Sequence, residues 1–445
     1  MEDCHTDSEL LTQFHKNIPQ LRFSGFKKIE NGKLKDENWF SAPASEIFIS
    51  VNDRNHPELP VLSASQEWGM IYRDEGGMNI FHDVANEITY KRVRPGQFVI
   101  HLRSFQGGFA HSKVEGITSP AYTILDFKDK NKHNDLFWKY VLTSDEFIKR
   151  LELITYGIRD GRSINFSDFS TLNFYFPSYE VQQKIGTFLS HVDSLIQAKT
   201  KKLESLKAVK KSLLQKCFPR TMSNVQCEMS NDNCKSHTAN CKLSLVPEMR
   251  FAGFSGDWEE KNLGEVAEIS SGTTPSRMNS ENFSGDVCWL TSGELKSHYI
   301  YDTSEKINES IAETMRTYKK GTVVIAIYGL EAAGIRGTCS ILKRDCTISQ
   351  ACMAFSNLKS VHNEFLYCWY IANGNEIGTK YAQGTKQQNL SSDIISDMSI
   401  CFPTLAEQQK IGQFFSKYDS LISAQQKEID KLKDIKKSLL QKMFI

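Results

Sequence analysis

"QQKIGTFLSHVDSLI" occupies Gln182–Ile196, and "QQKIGQFFSKYDSLI" occupies Gln408–Ile422, 226 positions later. The offset holds without a gap from Phe176–Pro219 onto Phe402–Ile445, with 25 identities in 44 pairs. It ends on "KKSLLQKCF" (Lys210–Phe218) against "KKSLLQKMF" (Lys436–Phe444). A self-similarity of this period is too long for a solenoid repeat and marks two copies of a whole module. The module entrances agree as well: "IPQLRFSGFKK" (Ile18–Lys28) and "VPEMRFAGFSGDW" (Val246–Trp258) share Pro, Arg-Phe and Gly-Phe at matching spacing.

Between the modules, "TMSNVQCEMSNDNCKSHTANCKLS" (Thr221–Ser244) is polar and aperiodic, a linker composition. Inside each module, apolar β-branched runs predict strands at Glu46–Val51, Gln97–Leu102, Ala121–Leu125, Val287–Leu290, Thr322–Tyr328 and Ala351–Phe355. "NDLFWKYVL" (Asn134–Leu142) and "NEFLYCWYI" (Asn363–Ile371) predict one aromatic-striped helix per module, each with Asn as N-cap. "LNFYFP" (Leu172–Pro177) and "MSICFP" (Met398–Pro403) are strand-like runs that stop at a proline. The order is globule (1–178), long helix (179–218), linker (219–245), globule (246–404), long helix (405–445).

At 445 residues the chain has room for roughly three domains of about 150 residues. With 40% hydrophobic and 24% charged residues it has an ordinary globular composition. A net charge of +1 means that any surface for a polyanion must be local. Eleven scattered cysteines and an N-terminus without a basic-then-apolar signal point to reduced thiols in the cytoplasm. The longest apolar run, Thr322–Leu330, falls far short of the ~18 residues of a membrane span.

From Glu180 to Cys217 there is no proline and one glycine, Gly186. These 38 residues would span roughly 57 Å as a helix. Apolar residues at Ile185, Phe188, Val192, Leu195, Ile196, Leu203, Leu206 and Leu213 mark one face seeking a partner. The second copy repeats it at Ile411, Phe414, Leu421, Ile422, Ile429, Leu432 and Leu439. The expected partner of each helix is the other copy, packed antiparallel with one globule at each end; the alternative is a coiled coil between chains. The lysines of "KTKKLESLKAVKK" (Lys199–Lys211) are expected on the solvated outer faces.

The helices are alike, whereas the globules cannot be aligned without gaps beyond their edges. A spacer of fixed shape carrying two unlike heads fits a ruler with two readers. Duplex DNA suits it, because its backbone has local two-fold symmetry and separated half-sites can be read by separate heads.

The order head–helix–head–helix resembles the specificity subunits of type I restriction-modification systems. So do "FPTLAEQQKIGQFFSKYDSLI", "KLKDIKKSLLQKMF", the entrance "RFAGFSGDWEEKNLGEVAEISSGTTPS", the loop "QGTKQQNLS" (Gln383–Ser391) and "RSFQGGFAHSKVEGITSPAYTIL" (Arg103–Leu125). The likeness covers the chain from about Leu21 onward. The first head lacks an "SSGTTPS" entry (Ser270–Ser276) and has "GIRDGRSINFSDF" (Gly157–Phe169) where the second has "QGTKQQNLSSDI".

The resemblance implies an α+β fold with two target-recognition domains, 1–178 and 246–404. Two long antiparallel helices would separate them as an intramolecular coiled coil with a pseudo-two-fold internal repeat. It implies a non-catalytic subunit that binds a bipartite double-stranded DNA target, with two methyltransferase subunits along the helices and restriction subunits joining them. Cofactors are expected in those partners and none in this chain: S-adenosylmethionine for adenine methylation, ATP and magnesium for cleavage.

Base readout needs Arg, Lys, Asn or Gln on loops that reach a groove edge. The candidates in the first head are Arg103, Ser104, Gln106, Arg159 and Arg162. In the second they are Thr273, Arg336, Lys386, Gln387 and Asn389. The helix seam is expected at Ile185, Phe188, Leu195, Leu206 and Leu213 with Ile411, Phe414, Leu421, Leu432 and Leu439.

Catalytic readings find little. "SPAY" (Ser119–Tyr122) is similar to an amino-methyltransferase motif but lacks its second proline and a preceding glycine-rich loop. "GLEAAGIR" (Gly329–Arg336) has Ile where a phosphate-binding loop needs lysine. Cys227, Cys234 and Cys241 beside His237 lack the CxxC pairing of zinc sites. A two-headed protein-interaction scaffold is the alternative to DNA recognition, and a stand-alone methyltransferase comes third.

Overall fold

The computed structural model describes residues 28–30, 33–35, 39–65, 68–73, 84–154, 164–219, 245–332, 334–384 and 388–444. Arg159, Arg162, Lys386, Gln387 and the linker cysteines lie outside them. The chain divides into two compact units. One is Met1–Lys199 with Glu428–Ile445, and the other is Thr200–Lys427. Both boundaries fall inside the long helices, Tyr179–Cys217 and Leu405–Met443, so each unit holds a part of both.

In the first unit, strands Phe48–Val51, Thr123–Phe127, Phe98–Ile100 and Ala110–His111 form one antiparallel sheet in that order. Side chains alternate across a strand, and both faces of this sheet are covered. Phe98, Leu125 and Phe127 enter an aromatic core with Phe48, Phe137, Trp138, Phe147, Phe169 and Phe174. Val99 and Ile124 point to a smaller cluster with Leu62, Met70 and Val93. Phe48 meets Trp138 edge-on at 5.2 Å, a geometry worth about 0.5–1.5 kcal/mol beyond buried area. The run predicted as a strand from Glu46 begins instead with a helical turn, Ala44–Ile47, and is strand only over Phe48–Val51. The predicted head helix is present at Asp135–Val141, and Asn134 Oδ1 caps it by accepting from Phe137 N at 3.1 Å.

In the second unit a five-stranded sheet runs Glu268–Ser271, Cys352–Ser356, Val323–Ala326, Cys339–Leu342 and Tyr299–Ile300. Its last pair is parallel. The head helix extends over Asn363–Lys380, well beyond the apolar run that predicted it, and its N-cap is His362 rather than Asn363. Cys217, Cys288, Cys339, Cys346, Cys352, Cys368 and Cys401 are buried free thiols, all pushed above the usual thiol range by burial.

Each head takes the start of one long helix and the end of the other into its core. In the first unit Val181, Ile185 and Leu189 are buried in the aromatic cluster, and Leu439, Leu440, Met443 and Phe444 pack with it. In the second, Ile411 and Phe415 do the same, joined by Leu213, Leu214, Cys217 and Phe218. Phe137 meets Phe444 at 5.4 Å in the first, and Phe365 meets Phe218 at 5.3 Å in the second.

The expected seam is partly displaced. Ile185 and Ile411 are buried, and Leu206, Leu213, Phe414, Leu432 and Leu439 are half-buried. Phe188, Leu195 and Leu421 are exposed by 38%, 45% and 57%. The face against each head steps strictly by four residues, Val181–Ile185–Leu189 and Glu407–Ile411–Phe415, so Phe188 sits one position off it. Further along the helices Leu203 is buried in the second unit and Ile429 in the first, and Leu195 and Leu421 lie off the buried face. The lysine run is not wholly solvated either: Lys210 is buried, because Asp419 of the second copy pairs with it at 2.5 Å.

Candidate functional site

Two kinds of site follow from the repeat: the junctions where the helices meet a head, and the loops the heads present.

The junctions are built alike. Gln182 and Gln408 occupy equivalent helix positions, are fully buried, and make the same three hydrogen bonds. Gln182 accepts from Asn134 N at 3.0 Å and donates to Lys132 O and Pro177 O. Gln408 accepts from His362 N at 2.7 Å and donates to Ser360 O and Pro403 O. Each glutamine thus fastens the strand-end proline and the start of the head helix to the long helix. Gly186 and Gly412 lie one turn further on. A Cβ on Gly186 would stand 2.6 Å from Phe137 N, and one on Gly412 would stand 2.5 Å from Glu364 Cβ. That close approach explains why an otherwise uninterrupted helix carries a glycine there in both copies.

Asp193 and Asp419 are the next equivalent pair. In the first unit Asp193 takes Lys436 at 2.6 Å, Lys139 at 2.9 Å and the Tyr140 hydroxyl at 2.7 Å. In the second, Asp419 takes Lys210 and lies 3.1 Å from His298 Nδ1. That last contact is at ion-pair distance but off the line of a hydrogen bond, so charge attraction carries it. His298 Nε2 meets Glu364 at 2.8 Å, and the ring is stacked between Tyr299 at 4.0 Å and Tyr367 at 3.9 Å. Burial alone would push the imidazole down, but the Asp419 and Glu364 carboxylates outweigh it and hold it above its ordinary value. An acid beside each ring nitrogen favours the charged ring from both sides.

The entrance of the second module has its own role. Arg250 grips the buried Glu407 with two parallel 2.7 Å bonds and also donates to Gly256 O and Ser255 O. Arg250, with Phe251 against Phe414 at 5.4 Å, therefore locks the module entrance to the start of its long helix.

In the second head the two ends of "QGTKQQN" pair with each other. Gln383 N donates to Asn389 O at 2.8 Å and Asn389 N to Gln383 O at 2.9 Å, with Gly384 at φ +109° permitting the turn. Gln388 is held on three sides. Its N donates to Glu331 Oε2 at 2.9 Å, its O accepts from Leu330 N at 3.2 Å, and its Oε1 accepts from Arg336 Nη2 at 2.7 Å. Arg336, expected at a base edge, is half-buried with its guanidinium turned to Gln388 and its stem against Gly378. Asn389 is half-buried, its Oδ1 without a hydrogen-bond partner among the described residues. Thr273 is exposed, and its backbone is pinned by Ile348 O at 3.0 Å and Trp289 Nε1 at 3.1 Å. Neighbouring Arg277 clamps Glu305 through two 2.8 Å bonds and lies over Phe283 and Trp289.

In the first head Gln106 is exposed on the helical turn Ser104–Gly107, and Arg103 is exposed at the position just before it. Ser104 is fully buried, its Oγ accepting from His101 N at 2.8 Å, so it shapes the turn and offers nothing to a groove. His101 is pushed down to about 4 by burial and by the Arg103 charge, which keeps its ring neutral. Sequence alone pointed to the amides of "GTKQQN" without singling out Gln388, and did not point to Glu331, Gln182, Gln408 or His298. The matched glutamines of the repeat were a visible signal for Gln182 and Gln408; His298 and Glu331 carry no local signal. Among the described residues no helix is long and apolar enough to cross a membrane.

Comparison with known proteins agrees with this architecture. A family model described as type I restriction modification DNA specificity domain matches residues 15–208 and again 255–434. The specificity subunit of the type I restriction enzyme MjaIX from Methanocaldococcus jannaschii is 27% identical over 195 residues, covering 42% of this chain and 44% of that protein. The MjaVIII specificity subunit of the same organism is 22% identical over 340 residues, covering 72% and 71%. The chain thus spans less than half of the first relative and about seven-tenths of the second. The crystal structure of a type I restriction-modification S subunit from M. genitalium superposes with a TM-score of 0.58 at 15% identity, covering 96% of this chain and 99% of that one. A chain from a structure of type I R-M complex assembly and conformational transition gives 0.50 at 16% identity, covering 93% and 98%. At these identities the structural likeness speaks for the fold.

Proposed function

The chain belongs to the type I restriction-modification DNA specificity family, and on that premise we propose that it is the DNA-recognition subunit of such a complex. Each head reads one half of a bipartite, asymmetric duplex target. The two long helices pair antiparallel as an intramolecular coiled coil that sets the gap between the halves. The chain performs no chemistry itself. It directs adenine methylation by two methyltransferase partners that hold S-adenosylmethionine, and ATP- and magnesium-dependent cleavage by restriction partners, in the cytoplasm.

The observation that carries this reading is the reciprocity of the helix contacts beside unlike heads. In the first unit Asp193 pairs with Lys436 and Lys199 with Glu428, so partner numbers fall as helix numbers rise. In the second unit Asp419 pairs with Lys210, the same aspartate–lysine pair with the copies exchanged. Such exchange is what a closed two-fold pairing of repeats requires. The exposed loop residues Arg103, Gln106 and Thr273, with Asn389, supply groove-edge chemistry that differs from head to head.

Selection from a random duplex pool by the chain with its methyltransferase partner tests the proposal. The expected product is one split sequence, bound with an affinity that falls steeply as salt rises. Recovery of no sequence, or a salt-insensitive association, would place the chain with two-headed protein scaffolds.

A further inference from the structure

We infer that Gln388 is a specificity-determining residue of the second head and that Arg336 is its positioning residue, fixing which end of the Gln388 amide faces a base. This rests on the DNA-recognition reading above. A glutamine on a flexible loop can turn its amide over and present either a donor or an acceptor. Here it cannot. Backbone N and O are both engaged, by Glu331 and Leu330, and Oε1 is engaged by Arg336. A guanidinium has donors only, so it accepts no amide N–H and enforces one orientation. The branch that remains is the NH2, two donors with no partner among the described residues.

Arg336 is itself held in place. Its Nη1 approaches Thr379 Oγ1 at 3.5 Å, and a Cβ on Gly378 would stand 2.7 Å from its Cγ. The next residue, Gly337, has φ +74° and lies so close to the head helix that a Cβ would be 2.8 Å from Asn375 N. The arginine is thereby built onto the head helix Asn363–Lys380 rather than onto the loop it orients.

The consequence is a reader held with its donors outward. Bidentate recognition of adenine by glutamine uses both ends of the amide. With Oε1 turned to Arg336 the NH2 is the end left to face a base, so Gln388 selects an edge that presents acceptors at that position, guanine O6 and N7 or thymine O4, over the amino groups of cytosine and adenine.

Gln388→Glu is the decisive variant. A carboxylate keeps an acceptor against Arg336, so the loop stays held, but it exposes an acceptor where the amide exposed donors. Pools of random duplex selected by the full chain with its methyltransferase partner would show preference at one base pair of one half-site move from acceptor to donor, by about 10- to 100-fold. Arg336→Met frees the amide to turn over, and discrimination at that same base pair should fall about tenfold while the other half-site is unchanged. An unaltered motif with Gln388→Glu would overturn the assignment, as would changes in both halves. If the unsubstituted chain selects no sequence, the DNA-recognition reading falls first and this assignment with it. Should Arg336→Met unfold, Gln388→Glu alone decides between these outcomes, its fold checked by an unchanged melting profile.

Discussion

The two head–helix junctions begin from the same residues and end as different devices. Asp193 and Asp419 are one position of the repeat, and so are Lys210 and Lys436. In both units the aspartate of one copy takes the lysine of the other. What differs is the third partner, which the head supplies: Lys139 and Tyr140 in the first unit, His298 with its Glu364 and tyrosine stack in the second. The second junction is also drier, with side chains of Asp419, Lys210 and His298 exposed by 17%, 11% and 5%, against 26% and 28% for Asp193 and Lys436. A duplicated helix preserves the joint, and the unlike head decides how tightly it is sealed and what it responds to.

The largest contrast should come from removing the aspartates. Asp419→Ala leaves Lys210 buried without its anion and His298 with Glu364 alone, a loss of about 3–5 kcal/mol. Asp193→Ala leaves lysines that can reach water, and about 1–2 kcal/mol is expected. Hydrogen exchange resolved by unit is the measurement, since a chain of two units has no single unfolding free energy. Equal losses in the two variants would erase the distinction between the junctions.

Gly186→Ala and Gly412→Ala sharpen the likeness. The added methyl meets fixed backbone in the first case and the Glu364 Cβ in the second. Overpacking of about 2–3 kcal/mol, offset by about 1 kcal/mol of better helix propensity, leaves a net loss of about 1–2 kcal/mol at each. A stabilised variant in denaturant titrations would show that the head helix can retreat.

A smaller effect separates the junctions by pH. Because the pKa of His298 is raised in the folded chain, its contribution is fully present below the ordinary histidine value of 6.5 and is lost as pH rises through the raised one. Asp193 and Asp419 are held low by their cations against the opposing effect of burial, so their contributions vanish only in acid. As pH rises above the ordinary histidine value of 6.5, amide protection around Tyr299 and Tyr367 should decline while that around Tyr140 stays flat. His298→Gln should abolish the decline; a slope that survives it would assign the effect to another group.

The smallest effect is expected on the helix flanks. Leu195→Gln and Leu421→Gln, at equivalent exposed positions, should change the stability of the isolated chain by less than about 0.5 kcal/mol in thermal melts. A loss several times larger would mean that the seam does include them.

The sequence by itself determined the two long helices, their duplication and their ends. It did so because a helix is written locally, in a period of 3.6 and in the absence of proline, and because the chain repeats itself letter by letter. It also marked the loops where recognition chemistry gathers. Only the tertiary structure decided which way those loops' side chains point: Arg336 inward to Gln388, Ser104 into its own turn, Lys210 out of solvent and onto Asp419. A loop has no period to fix its faces, and a buried ion pair between residues 209 positions apart leaves no trace in the neighbours of either. Their placement depends on which distant elements arrive beside them.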